Sequence, residues 1–245
     1  MVHTRESRVS ASEIKFVLDP GLGHQVRNWA RSELESDPHG EGPFADEYRT
    51  TSLYFDTAKH DVFHRRGSFG RAKYRIRRYS DHDFVFLERK LRKPGFLFKR
   101  RTRTPIGVLH QLERTEADGP WLGDWFHRRL LARGLRPVCR LSYHRMARGL
   151  SVNGTTVRLT LDDSVAVAAI NAVHFDESPA LPILEQQLIL ELKFRGHLPT
   201  TFKRLIEDLR LTSCTASKYR FGMTALGHVL TGEASSALAG KHPHG

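Results

Sequence analysis

The chain has 245 residues, with 39 Lys and Arg against 27 Asp and Glu, a formal net charge of +12 and a pI near 10.1. Its 39% hydrophobic content supports a sizeable core and excludes wholesale disorder. No apolar run reaches the roughly 18 residues of a membrane-spanning helix, and residues 1–15 lack the apolar segment of a secretory signal. Cys139 and Cys214 stand far apart and outside any Cys/His cluster. A disulfide scaffold and a structural zinc site are therefore excluded, and a reduced, cytoplasmic setting is expected.

In chain order, residues 1–11 are polar and read as a flexible N-terminus. Residues 12–18 (SEIKFVL) are strand-like. Residues 20–37 carry Val26, Trp29, Ala30 and Leu34 at helical spacing. A loop rich in Gly, Pro and acids covers 38–46, and strand composition returns at 50–56. Three strictly alternating strands follow at 71–79, 84–91 and 96–103. The turn segments Ser80-Asp81-His82-Asp83 and Lys93-Pro94-Gly95 join them into an antiparallel meander. A helix is expected at 120–134, with strands at 137–147, 155–161, 165–173 and 188–194. A Pro-initiated helix at 199–211 and a further helix at 217–230 complete the pattern. No linker divides residues 12–230, which read as a single α+β domain dominated by antiparallel strands; 231–245 read as a disordered tail.

Alternation exposes an anomaly. Side chains two apart on a strand share a face, so Lys73, Arg75 and Arg77 lie together, opposite Ala72, Tyr74 and Ile76. Phe84, Phe86, Glu88 and Lys90 share a second strand face, and Lys99, Arg101 and Arg103 a third. Arg158, Thr160 and Asp162 follow the same rule, as do Glu191 and Lys193 opposite Leu190, Leu192 and Phe194. A solvated sheet face explains each strand singly. It explains the set less well, because like charges recur at every second position, where they repel, and a field of one sign implies an anionic partner.

If the strands close on themselves, the charged faces line a tunnel and the apolar faces meet the helices. Such a lining suits a metal-bound chain of phosphates: Lys and Arg take the phosphate oxygens, and carboxylates hold a divalent ion. Tyr54, Phe55, Phe63, Trp121, Trp125 and Phe126 are assigned to core packing instead of base stacking. The 14 His are scattered and form no ligand pair.

These stretches, in this order, resemble the VTC domain, the polyphosphate polymerase branch of the CYTH-like triphosphate tunnel metalloenzyme superfamily. They are Glu13-Ile14-Lys15-Phe16, SLYFDT from Ser52, GRAKYRIRRY from Gly70, FLERK from Phe86, KRRTR from Lys99, YHRMA from Tyr143, VRLTLDD from Val157, LELKFRGHLP from Leu190 and SKYRFG from Ser217. The resemblance spans about residues 12–225. It implies a closed, eight-stranded antiparallel β-barrel tunnel with flanking helices, binding ATP and polyphosphate with Mn2+ or Mg2+.

Carried over by position, Lys15, Arg75, Arg77, Lys90, Arg145, Arg158 and Lys218 become phosphate ligands. Lys99 and Arg101 join them near one mouth, and Ser217 sits beside Lys218. Arg75, Arg77, Arg158 and Lys218 are the catalytic set. Lys73 adds to the phosphate path through its shared face with Arg75. Glu191 is the principal metal ligand, with Glu13 beside it. Glu88 is read as an orienting partner of Lys90, and Asp162 is open between support of the metal and a plain strand-end acid.

The hydrolase branch opens with E-x-E-x-K. Here Ala11 precedes Ser12-Glu13-Ile14-Lys15, so one Glu is missing. Fewer acids favour gripping a long polyanion over activating water. The expected function is transfer of the terminal phosphoryl group of ATP to a growing polyphosphate chain. A triphosphate or polyphosphate hydrolase, or a non-catalytic polyphosphate or nucleic-acid binding module, is the alternative. DNA and RNA are not expected as partners, since RNP, KH and helix-turn-helix signatures are missing. A separately encoded membrane partner, at the inner face of the membrane, stays open.

Overall fold

The structure is a computed structural model describing residues 6–9, 12–93, 96–117, 119–152, 155–176 and 178–227. Among these residues, eleven strands and four α-helices follow in the order β1 (Glu6–Val9), β2 (Ser12–Leu18), α1 (Pro20–Glu33), β3 (Glu35–Ser36), β4 (Glu47–Asp56), β5 (Ala72–Tyr79), β6 (Phe84–Lys93) and β7 (Phe96–Pro105), then α2 (Asp124–Ala132), β8 (Arg136–Val152), β9 (Thr155–Ala169), β10 (Leu181–Pro182), β11 (Leu188–Phe194), α3 (Thr200–Asp208) and α4 (Lys218–Ala225). α1 starts where Asp19 caps it by accepting from the Leu22 N–H, with Pro20 preset for the first turn.

All strands join one antiparallel sheet. Its main path runs β1-β7-β6-β5-β4-β8-β9-β11-β2, with β3 on β8 and β10 on β9. This differs from the expected closed ring of eight strands: among the described residues nine strands form the path, and its two ends, β1 and β2, do not pair with each other. The two ends of the path are nevertheless consecutive in the chain. Residues 6–9, expected to be loose, pair with β7, and residues 12–18 pair with β11.

A second difference lies in β9, which runs unbroken where two strands are expected. Ser164 takes a positive φ of 51°, and the β8–β9 register shifts between Ser142 and His144. The extra residue is absorbed as a bulge, so the strand bends instead of turning back. The tail at 231–245 lies outside the described residues.

The apolar strand faces point to the helices. Leu53, Phe55, Ile76, Val85 and Leu87 pack with Phe126 and Leu130 of α2 and with Tyr219 and Met223 of α4. Phe16, Leu159, Leu161, Leu190 and Leu192 pack with Val26 and Ala30 of α1 and with Phe202 and Leu205 of α3. Burying these side chains supplies about 1.5–3 kcal/mol each and forces the alternate residues onto the opposite face. Tyr54, Phe55, Phe63 and Phe126 lie in the first cluster, with Trp121 and Trp125 packed against it, as expected. Among the described residues, no helix is long and apolar enough to cross a membrane.

Candidate phosphate-binding site

The charged faces meet. β2 and β6 are far apart on the pairing path, yet Lys90 Nζ on β6 lies 3.8 Å from Glu13 Oε2 on β2. The sheet therefore curls until distant members face each other. Across the same hollow, Lys73 Nζ on β5 donates to Ser217 Oγ at the start of α4, at 3.1 Å.

Each carboxylate on this face sits among several cations. Glu88 has a side chain only 3% exposed, with Arg75 Nε at 2.6 Å, Arg101 Nε at 3.1 Å and Lys99 Nζ at 3.2 Å. Burial pushes its carboxyl up, but Arg75, Lys99, Arg77 and Arg101 hold it well below the usual carboxylate range. This corrects the reading of Glu88 as the partner of Lys90, which pairs with Glu13 instead. Cross-strand register makes the difference: Glu88 stands directly opposite Arg75 on β5 and Arg101 on β7.

Asp162 is fully buried. It accepts from Arg145 Nε and Nη2 at 2.6 and 2.7 Å, and Lys218 Nζ lies 2.5 Å away. Glu191 has Lys193 at 2.9 Å, Lys15 at 3.0 Å and Lys218 at 3.8 Å. The Glu191–Lys193 ion pair within one strand is thus present, but as one contact of three. Against its burial, Lys193, Lys218 and Lys15 hold the Glu191 carboxyl well below its ordinary value. Lys15 Nζ also lies 2.9 Å from Glu13 Oε1. One ammonium therefore stands between two carboxylates, and although burial works against it, Glu191 and Glu13 drive the Lys15 pKa up.

The remaining expected residues join the same surface. Arg77 Nε donates to Ser52 Oγ at 3.1 Å. Arg158 Nη2 donates to Tyr48 OH at 2.8 Å and pairs with Asp37 Oδ2 at 2.6 Å. Lys73 lacks a carboxylate partner among the described residues. Burial, then Lys15, Lys90, Arg65 and Arg75, pushes it down to about 7. The contacts thus bring together Lys15, Lys90, Glu13, Glu191 and Lys218, Arg145 and Lys218 about Asp162, and Arg75, Lys99 and Arg101 about Glu88.

Further participants were not expected, among them Ser52, already met on Arg77, Tyr79, Tyr48 and Asp37. Tyr79 accepts from Arg101 Nη2 at 3.1 Å; burial raises its phenol, and Arg77 and Arg101 outweigh that and bring it to about 8. It lies two residues beyond Arg77, so alternation reaches it. Tyr48 sits edge-on to Tyr79 at 5.5 Å. Asp37 comes from the loop after β3, and nothing in its local sequence points to Arg158.

For a divalent ion, the hard oxygens of Glu191 and Glu13 fit Mg2+ or Mn2+ by donor type. Thr160, the register partner of Glu191, has a buried Oγ1 without a hydrogen-bond partner among the described residues. Its side chain lies on the same face of the strand pair as Glu191. Among the described residues, no cluster of three or more His, Cys, Asp or Glu side chains forms a metal cage by itself. Phosphate oxygens and water would complete such a shell, as is usual for Mg2+.

A family model described as the VTC domain matches residues 10–227. No curated protein matches the chain. Among solved structures, a putative adenylate cyclase from Bacillus halodurans superposes with a TM-score of 0.50 at 14% identity, covering 85% of this chain and 96% of that one. A putative adenylyl cyclase from Hippeastrum, described as having a dominant triphosphatase activity, gives 0.46 at 16% identity over 91% of this chain and 98% of its own. A Pyrococcus horikoshii protein gives 0.45 at 12% identity, with 89% and 100% covered.

Proposed function

The chain belongs to the VTC domain family, and on that premise we propose that it is a metal-dependent polyphosphate polymerase acting on ATP inside a cationic tunnel. Two features support a tunnel: the sheet curls, and its two end strands, β1 and β2, are consecutive in the chain. The observation that carries this reading is the state of the carboxylates. Glu88, Asp162 and Glu191 are each held by two or three cations and are kept ionised. They are poor bases for activating water. The attacking group in chain growth, a terminal phosphate oxygen, needs no such base.

Phosphoryl transfer rests on positioning and charge stabilisation more than on covalent help from the protein. Arg75, Arg77, Arg158 and Lys218 would bind the triphosphate and neutralise charge on the group in flight. Lys15, Lys73, Lys90, Lys99 and Arg101 would extend the path for the chain. Arg145 uses Nε and Nη2 to hold Asp162, which leaves Nη1 as the nitrogen that would bind phosphate. Ser217, by holding Lys73, sets that ammonium in the hollow. A divalent ion held by Glu191 and Glu13 would polarise phosphoryl oxygens.

Incubating the purified protein with ATP and Mn2+ or Mg2+, and sizing the product on a gel, tests this. Lengthening phosphate chains are expected. Orthophosphate alone, from ATP or tripolyphosphate, would make it a hydrolase, and binding without turnover a binding module.

A further inference from the structure

We propose that Phe84, Phe86, Arg101 and Arg103 form a seat for the nucleobase of the triphosphate donor. The proposal rests on the donor being a nucleoside triphosphate, as read above, and adds where its ring lies.

Phe84 and Phe86 occupy the same face of β6 as Glu88, yet neither belongs to either apolar cluster among the described residues. Both are half-buried. A large aromatic side chain left outside the core and beside a polar site has a partner other than the core.

What covers these rings is cationic. The Arg101 guanidinium carbon lies 3.4 Å from the Phe86 centroid, and that of Arg103 lies 3.6 Å from the Phe84 centroid. His82 stacks on Phe84 at 4.8 Å and 16°, and Tyr79 meets Phe86 edge-on at 5.7 Å. Arg103 is exposed, and among the described residues no carboxylate pairs with it. A guanidinium laid flat on a ring is oriented without an acid. Its outer plane remains a flat cationic surface, and its edge N–H groups suit the acceptor nitrogens of a base.

Position along the strand fits one nucleotide. Arg101 touches both regions: Glu88 on the phosphate side and Phe86 on the aromatic side. From Glu88 to Phe84 is four residues, about 13 Å of strand. That is the scale of a triphosphate with its sugar, which places phosphates among Arg75, Arg77 and Arg101 and the base over Arg103.

The test compares ATP with inorganic tripolyphosphate by calorimetry on the full chain, for the wild type, Arg103→Ala and Phe84→Leu. Base stacking is worth enough that ATP binding should weaken roughly tenfold in each variant, while tripolyphosphate binding stays unchanged; that unchanged affinity also shows the variants are folded. Equal weakening of both ligands would make these residues phosphate contacts and overturn the seat. No weakening of either would overturn it too. Wild-type protein binding neither ligand would instead remove the phosphate-site reading, and the seat with it.

Discussion

Lys73 is an ammonium buried among cations, with its pKa pushed down to about 7. The unfolded value is about 10.4, so the folded state holds this proton more weakly. The resulting cost to stability is complete below about pH 7 and fades as pH rises toward the unfolded value. A phosphate chain reverses the balance by drawing the proton back. Binding of tripolyphosphate at pH 8 should therefore take up protons, measured as a dependence of the calorimetric heat on buffer ionisation enthalpy; Lys73→Met should remove that uptake. An uptake unchanged in the variant would refute the role of Lys73.

Glu88 poses the complementary case. Removing one member of a buried charged cluster costs about 3–5 kcal/mol, and Glu88→Gln strands Arg75, Lys99 and Arg101. A clear drop in Tm is expected, reversed by tripolyphosphate, which supplies the lost negative charge. Arg75→Ala should lower the rate of chain synthesis by roughly 10²–10³, read from initial rates at saturating ATP.

At the scale of elements, the loop from Asp37 to β4 is tied down by its acids. Asp37 occupies Arg158, Glu41 accepts from Ser80 Oγ at 3.0 Å, and the buried Asp46 pairs with Arg31 of α1 and Arg148 of β8. Asp37 thus stands where a phosphate oxygen would bind. A partly exposed pair of this kind is worth about 0.3–1 kcal/mol, so Asp37→Asn should tighten tripolyphosphate binding about two- to fivefold. Weaker binding would show that Asp37 orients Arg158 for the ligand instead of competing with it.

The same elements show what alternation can and cannot reveal. Lys73, Arg75 and Arg77 share a face by backbone geometry alone, and the strand period carried that grouping into the site intact. Tyr79 was equally readable. The β9 bulge was not, because Asp162-Asp163-Ser164 has turn composition and it is long-range pairing with β8 and β11 that keeps it extended. Asp37 reaches its partner through tertiary folding, across a separation that no local pattern spans.

For the whole molecule, the net charge of +12 is organised by the inverted placement of core and charge. Apolar faces pack against the helices, and the charged faces lie on the other side of the curled sheet. The general α+β, antiparallel character follows from the strand periods. The wall itself depends on which edges come together, a question of long-range pairing that the polar residues at 6–9 gave no reason to raise.

That edge has a consequence of its own. Four register pairs, from Glu6↔Arg100 to Val9↔Leu97, fasten β1 to β7, whereas β2 meets β11 along seven. In the tunnel proposed above, the wall would have a seam, and its weak side would be the short zip. A polymer too long to be threaded end-first could slip in sideways where the zip parts. A disulfide stapling the facing positions 8 and 98, made as Arg8→Cys with Phe98→Cys, should spare tripolyphosphate while slowing the capture of long chains, and reduction should restore it. Indifference to chain length would mean that cargo enters only by the open ends.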